Sequence, residues 1–373
     1  MPLRGLLAVA MMTTVSGTAP ASGAPESKLF TTRGFKLESG LVLPEVTLAY
    51  ETYGVLAPDG RNAVLATHGY TSGHHFAGRY GAIGVAKGYQ PGDIGSWDKL
   101  IGSGKAIDTD KLFVVASNML GSSYGSTNPA SINPKTGKPY GPDFPAITVR
   151  DIVRAQKMLL DHLGVKHLVA VAGPSYGGYQ AYQWAVTYPN FMHGIVAVVT
   201  APKHLRPPNA TQTLIAQLAE HPNWNGGWYY ENGGIASALT KMPITTLKTY
   251  GIEARLAPDY PDRPARELQI LKVAEAWAHN FDANSLVALR RALETFDTTL
   301  QFATIKAKVL YVISRTDKLF PPSIAPEVMD ALKAAGVDAR YYEIDTELGH
   351  SASGYDAEKW APTLTNFMAE LMD

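Results

Sequence analysis

Residues 168–184, LVAVAGPSYGGYQAYQW, constrain the fold of this 373-residue chain more than any other stretch. A short apolar, β-branched run from Leu168 to Ala172 predicts a buried strand, and the residues after Gly178 read as a helix. Between them stands Gly173-Pro-Ser175-Tyr-Gly177, a G-x-S-x-G pattern in the strand–turn–helix context that a nucleophile elbow requires. So sharp a turn strains its central residue, and small residues on either side let strand and helix pass closely. The Ser175 hydroxyl is then expected to stand above the sheet. The Tyr176 N–H, at the start of the helix, would face the oxygen that gains charge during attack. The plainer alternative is a glycine-rich turn whose serine caps the helix, and the flanking patterns favour the elbow.

The rest of the chain supplies a sheet for that elbow. Residues 46–54 alternate weakly and predict an early strand, and residues 62–67 (NAVLAT) a second, buried one. A strand follows over 112–117 and a helix over 149–163, closed by Gly164. Residues 97–110 read as loop or short helix. Residues 121–144, rich in Gly, Pro, Ser and Asn, read as an irregular wall of a site. The elbow helix runs to Pro189, and a strand follows at 194–200. From Pro202 to about Thr304 no strand pattern appears; helices are predicted over 210–220, 265–281 and 283–296. The alternation resumes with a strand at 308–314, a helix at 325–335, a strand at 339–344 and a closing helix at 357–372. Such a pattern predicts an α/β chain, a mostly parallel doubly wound sheet with an inserted helical lid. The expected division is a signal peptide over 1–24, a core in two parts, 25–201 and 305–373, and a lid over 202–304.

Composition narrows the function classes. Lys plus Arg and Asp plus Glu both number 33, so no charge excess points to nucleic acid or an anionic membrane surface. There is no cysteine, which rules out disulfides, thiolate metal sites and a cysteine nucleophile. At the N-terminus, Arg4, an apolar run over 6–15 and the small residues Ala19-Pro-Ala21 read as a secretory signal peptide. Its export would make the protein secreted or periplasmic. No other stretch is long or apolar enough to cross a bilayer.

A serine hydroxyl is a poor nucleophile unless an oriented base takes its proton. Where an elbow serine leads, the acid and then the histidine follow in the chain. Asp317 comes just after the strand at 308–314, and His350 lies in the loop after the strand at 339–344. Both are therefore expected at carboxyl ends of the sheet, where open α/β folds assemble sites. Asp345 is a rival acid, but it lies too near His350 to come from a separate strand. The loop after the NAVLAT strand is where the second oxyanion donor is expected, and position nominates the Tyr70 N–H. His68, His74 and His75 crowd this loop, yet adjacent histidines face one ion poorly and no carboxylate stands at ligand spacing. No metal and no cofactor are expected.

Longer blocks carry a resemblance. Ala49-Tyr-Glu-Thr-Tyr-Gly54, Gly125-Ser-Thr-Asn-Pro-Ala-Ser-Ile-Asn-Pro134, Tyr140-Gly-Pro-Asp-Phe-Pro145 and Asp317-Lys-Leu-Phe-Pro-Pro322 are similar to those of the homoserine O-acetyltransferase family of α/β-hydrolases. The likeness runs from Val46 to Asp373. It implies an α/β-hydrolase fold with a helical lid, Ser175 as nucleophile, Asp317 as acid and His350 as base. It also leaves room for a homodimer through the lid. Departures are informative. Homoserine-binding members of that family carry a lid arginine and, seven residues on, a tyrosine; alignment places Leu239 and Thr246 there. They follow the histidine with aspartate, where this chain has Ser351, and place methionine where it has Tyr176. An amino-acid zwitterion needs a fixed cation and a fixed anion. Arg315, Lys318 and Lys241 are the candidate replacements for the cation.

Together these features predict a serine hydrolase that cleaves short acyl esters, with the Tyr70 and Tyr176 N–H groups as the oxyanion hole and a small-molecule ester as its partner. One alternative is acyl transfer from acetyl-CoA to an alcohol, homoserine not being the expected acceptor. Another is a catalytically silent binding protein on a hydrolase scaffold.

Overall fold

In the computed structural model, which describes residues 24–373, the sheet is built from Lys28–Lys36 (β1), Val42–Tyr53 (β2), Ala63–Thr67 (β3), Phe113–Ser117 (β4), Leu168–Pro174 (β5), Met192–Val198 (β6), Lys308–Ser314 (β7) and Ala339–Ile344 (β8). Their spatial order is β1-β2-β4-β3-β5-β6-β7-β8. β1 pairs antiparallel with β2 and β2 with β4; every later pairing is parallel. β3 and β4 are buried at every residue, which accounts for their continuous apolar runs. One layer of core lies under helices Val149–His162 (α1) and Tyr176–Thr187 (α2), the other under the closing helix Ala361–Met372. The N-terminal segment expected to be a signal peptide falls, apart from Ala24, outside the described residues. No helix among the described residues is long and apolar enough to cross a membrane.

Between β6 and β7 the elements are helical: Ala210–Ala219 (α3), Ala236–Thr249 (α4), Ile252–Leu256 (α5), Arg263–Asn280 (α6) and Ala283–Arg291 (α7). This insertion leaves and re-enters the core through one neck. There Lys203 and Asp297 form an antiparallel bridge, the His204 N–H donates to the Phe296 carbonyl (3.0 Å), and the Thr298 N–H donates to that of Pro202 (3.0 Å).

The structure departs from the sequence reading at five elements. β1 gave no signal because most of its residues are exposed, with only Phe30 and Phe35 buried. α4 was hidden by Pro243 and its threonines; Leu239 is its one buried residue. α7 ends at Arg291 rather than at 296, and the closing helix starts at Ala361, after a 3₁₀ turn at Ala357–Lys359. Residues 97–110, read as loop or short helix, hold a small ladder of Ile101–Gly102 with Ile107–Asp108.

Behind the loop that follows β3, β2 delivers a fully buried carboxylate, Glu51. It accepts hydrogen bonds from the Tyr53 and Tyr80 hydroxyls and pairs with His75 Nδ1 at 3.1 Å. The Tyr53 oxygen in turn accepts the Phe76 and Ala77 N–H groups, both at 3.1 Å. Burial alone would raise the Glu51 carboxyl, but the His75 bond, the nearby His74 and the two tyrosines hold it below the usual range. Two histidines of that loop, His68 and His74, behave oppositely. Burial pushes His68 down to about 3 and His74 down to about 4, so both stay neutral at ordinary pH.

Those two groups set a pH dependence. An unfolded histidine titrates near ~6.5, so the unfolded chain binds protons below that pH that the folded chain refuses. Their contribution is complete above ~6.5 and is lost as pH falls towards 4, by up to about 1.4 kcal/mol per pH unit for each group. The thermal midpoint is expected to drop clearly between pH 7 and pH 5. An unchanged midpoint over that interval contradicts the assignment.

Candidate active site

The elbow is local backbone physics. Ser175 sits at φ +57°, ψ −119°, a left-handed conformation rare for a side-chain-bearing residue. It is held there from both sides. The Ser175 N–H donates to the Val198 carbonyl (2.8 Å), and its own carbonyl accepts the Thr200 hydroxyl (2.8 Å). A Cβ added at Gly173 or Gly177 would meet the Thr67 carbonyl oxygen at 2.2 Å and 2.0 Å, so only glycine fits on either side of the turn.

The other two expected residues meet across the carboxyl ends of β7 and β8. Asp317 Oδ2 lies 2.8 Å from His350 Nδ1. The second oxygen of Asp317 accepts the Leu319 N–H (2.8 Å) and the Phe320 N–H (3.2 Å), so the buried carboxylate is fully engaged. The His350 ring is wedged between Tyr250 and Phe320, at centroid distances of 4.7 and 5.6 Å. The rival Asp345 is exposed and ion-paired to Arg315, which also binds Glu347 at 2.7 Å. Arg315 is thereby committed to the surface and leaves the list of replacement cations.

Ser175 lies between two cavities. One, of about 250 Å³, is lined by Ser175 and His350 together with Gly69, Tyr70, Phe76 and Trp97. The other, of about 190 Å³, is lined by Ser175, Tyr179, Tyr250, Arg206 and Lys318, and no carboxylate lines either. Tyr70 and Tyr176 both border the second cavity, and their side chains serve the lid. The Tyr70 hydroxyl donates to the Leu286 carbonyl (2.5 Å) and the Tyr176 hydroxyl to that of Leu289 (3.1 Å), both on α7. Their rings lie parallel, 6.1 Å apart.

The loop histidines do not gather a metal set, and none is found among the described residues. No carboxylate stands at ligand spacing in the sequence, but Glu51 arrives from β2, across the sheet, where sequence spacing does not reach. His68 has a fixed tautomer. Its Nε2 accepts the Met119 N–H (3.0 Å), so the proton sits on Nδ1, which donates to the Gly69 carbonyl (2.8 Å).

Leu239 is packed in the core and carries no polar group to the site. Thr246 and Lys241 line a lid cavity of about 880 Å³ that does not reach Ser175. Of the candidate cations, Lys318 does line a Ser175 cavity, and Arg206, which sequence reasoning missed, joins it. Arg206 lies in an exposed Pro-flanked loop with no motif to mark it. Ser351, where an aspartate would follow the histidine, is used structurally: its hydroxyl donates to the Tyr250 carbonyl at 2.9 Å.

Comparison with known proteins shows the family. Residues 89–354 match the family described as the alpha/beta hydrolase fold. The homoserine O-acetyltransferase of Geobacter sulfurreducens is 36% identical, over 90% of this chain and 95% of its own length. That of Symbiobacterium thermophilum is 38% identical, over 90% of this chain and 92% of its own. Among solved structures, the homoserine O-acetyltransferase of Bacillus anthracis superposes with a TM-score of 0.83 at 30% identity, covering 93% of this chain and 98% of its own. Esterase E22 superposes with the same score at 28% identity, covering 92% of this chain and all of its own.

Removing the Ser175 hydroxyl is the direct test of the site. Ser175→Ala is expected to lower turnover of a short-chain p-nitrophenyl ester by ~10³-fold or more while the circular dichroism spectrum is kept. Near-wild-type turnover in that variant removes Ser175 from the chemistry.

Proposed function

Because the chain belongs to the homoserine O-acetyltransferase family of α/β-hydrolases, we propose that it is a serine-dependent O-acyltransferase, forming an acyl-enzyme at Ser175 and passing the acyl group to a hydroxyl acceptor. The observation that carries this reading is the hydrogen-bonded Asp317–His350 pair, with His350 lining the same cavity as the strained Ser175. Asp317 fixes the His350 proton on Nδ1 and leaves Nε2 free to accept the Ser175 proton. The Ser175 oxygen attacks the acyl carbonyl, and the Tyr70 and Tyr176 N–H groups stabilise the oxyanion. On collapse, His350 returns the proton to the departing alkoxide or thiolate. The acceptor hydroxyl then gives its proton to His350 and attacks the acyl-enzyme; on collapse the Ser175 oxygen leaves, takes that proton back from His350, and the new ester departs.

The charges around Ser175 bear on the acceptor. Arg206 and Lys318 line one cavity, and neither cavity offers a carboxylate. That setting suits a hydroxyl compound with an anionic end and gives no partner to an ammonium group. A second reading, ester hydrolysis with water as the acceptor, is favoured by Leu239 and Ser351. Both are taken up in packing or lid contacts, at the positions where homoserine-binding relatives place charged groups.

The two readings separate by partition. Purified protein is supplied with acetyl-CoA or an acetyl ester and increasing homoserine or 4-hydroxybutanoate, and free acetate is measured against acetylated acceptor. Transfer predicts that acetylated product rises at the expense of acetate, with 4-hydroxybutanoate used at least as well as homoserine. Acetate as the sole product at every acceptor concentration selects hydrolysis. A homoserine kcat/KM of ~10⁴ M⁻¹s⁻¹ or more, far above that for 4-hydroxybutanoate, overturns the charge assignment.

A further inference from the structure

A buried chain of side chains lies behind the two oxyanion donors, and acid–base chemistry makes no use of it. Gln156 on α1, with Gln180 and Trp184 on α2, are all fully buried. The Trp184 indole N–H donates to Gln156 Oε1 (2.9 Å), and Gln156 Nε2 donates to Gln180 Oε1 (2.7 Å). Gln180 Nε2 then donates to two backbone carbonyls, those of His68 (3.1 Å) and Tyr176 (3.3 Å). An indole N–H can only donate, so it sets the direction of the whole chain. Gln156 must turn its oxygen to Trp184 and its nitrogen to Gln180, and Gln180 must turn its nitrogen to the carbonyls. Reversing the last amide would set an oxygen against two oxygens in a buried place, which is costly.

The two carbonyls belong to the two arms of the oxyanion hole. His68 ends the approach to the Gly69–Tyr70 peptide, and Tyr176 begins α2. Gln180 reaches the first arm across 112 residues of sequence and the second from within its own helix, and it is hydrogen-bonded to both. The Gly69–Tyr70 peptide is further oriented by His68 Nδ1, which holds its carbonyl. In a trans peptide the N–H points opposite to the C=O, so this bond turns the Tyr70 N–H away from His68. Oxyanion donors act only when they lie ~2.7–3.1 Å from where the charged oxygen will be. Their separation is therefore a quantity the fold has to set.

We propose that Gln180 is a positioning residue for acyl transfer: it fixes the spacing of the Tyr70 and Tyr176 N–H groups, and Trp184, through Gln156, fixes which way its amide faces. The proposal rests on the reading of Ser175 as nucleophile.

The test uses the whole protein in two variants. Gln180→Met keeps the length of the side chain and removes both donors. Trp184→Phe keeps an aromatic filler and removes only the N–H that orients the chain. Each is measured for kcat and KM on a short-chain p-nitrophenyl ester, for inhibition by an alkyl boronic acid that adds to the serine as a tetrahedral anion, and for thermal midpoint. Loss of a whole donor costs ~10²–10³-fold in kcat, and a displaced donor retains part of its effect. Gln180→Met is expected to lower kcat by ~10–100-fold with KM within about threefold, and to weaken the boronate by a similar factor. Trp184→Phe shifts both in the same direction by less. A purely structural role lowers the thermal midpoint and leaves kcat and boronate affinity where they were; that result overturns the proposal. If Gln180→Met does not fold, Trp184→Phe decides on the same two readouts. Failure of the underlying reading looks different, since Ser175→Ala would then keep its turnover whatever Gln180 does.

Discussion

The carbonyl end of Thr67 is the point on which the rest of the structure turns. Gly173, just before the serine, and Gly177, just after it, approach its oxygen more closely than any Cβ allows. The Thr67 hydroxyl closes the same junction from the other side, donating to the carbonyls of Gly177 (2.9 Å) and Ala172 (3.3 Å). β3, β5 and α2 are thereby fixed to one another within a few ångströms. The loop after β3 and the first turn of α2 then have little freedom in where they stand. A strained serine persists only where its surroundings over-determine it, and here the determinants are backbone groups buried in the sheet.

Onto that junction the lid is fastened at several points. The hydroxyls of Tyr70 and Tyr176 hold carbonyls of α7, the Arg290 guanidinium lies 5.5 Å from the Tyr70 ring centroid, and the Trp277 indole donates to the Thr71 carbonyl at 3.2 Å. On the histidine side, Ser351 holds the Tyr250 carbonyl where α4 gives way to α5. Each fastening uses a residue adjacent in sequence, or identical, to one that bounds the Ser175 cavities. The Ser175 cavities are thus formed jointly by core and lid.

How much of this could be read beforehand follows from the range of each signal. Ser175, Asp317 and His350 were legible because each sits in a short local pattern at the end of a predicted strand, and their order in the chain narrowed the choice. The Asp317–His350 contact needs only that β7 and β8 be neighbours, which the strand–helix alternation implied. Arg206 was not legible. Its position beside the Ser175 cavity comes from the path of the loop after the neck, and nothing local marks it. The Glu51 cluster was hidden for a related reason, since a carboxylate from β2 reaches the histidines across the sheet. The Gln180 chain did leave a trace. Tyr176, Gln180 and Trp184 repeat at four-residue spacing on a helix whose residues are nearly all buried, and a polar side chain on such a helix needs a partner. β1 and α4 were missed because exposure in one and Pro243 in the other erased the periodicity that would have shown them.

The neck at Lys203 and Asp297 has a consequence of its own. Because the chain leaves and returns through one antiparallel bridge, the ninety or so residues between are a single excursion from the sheet's standpoint. Lengthening, shortening or exchanging that excursion changes no strand register and moves no residue of the Thr67 junction. Descent can therefore vary the walls that the lid gives to the Ser175 cavities while the sheet beneath them stays in place. Relatives of this architecture named for transferring acyl groups and for hydrolysing them are what such a hinge between two inheritable parts allows.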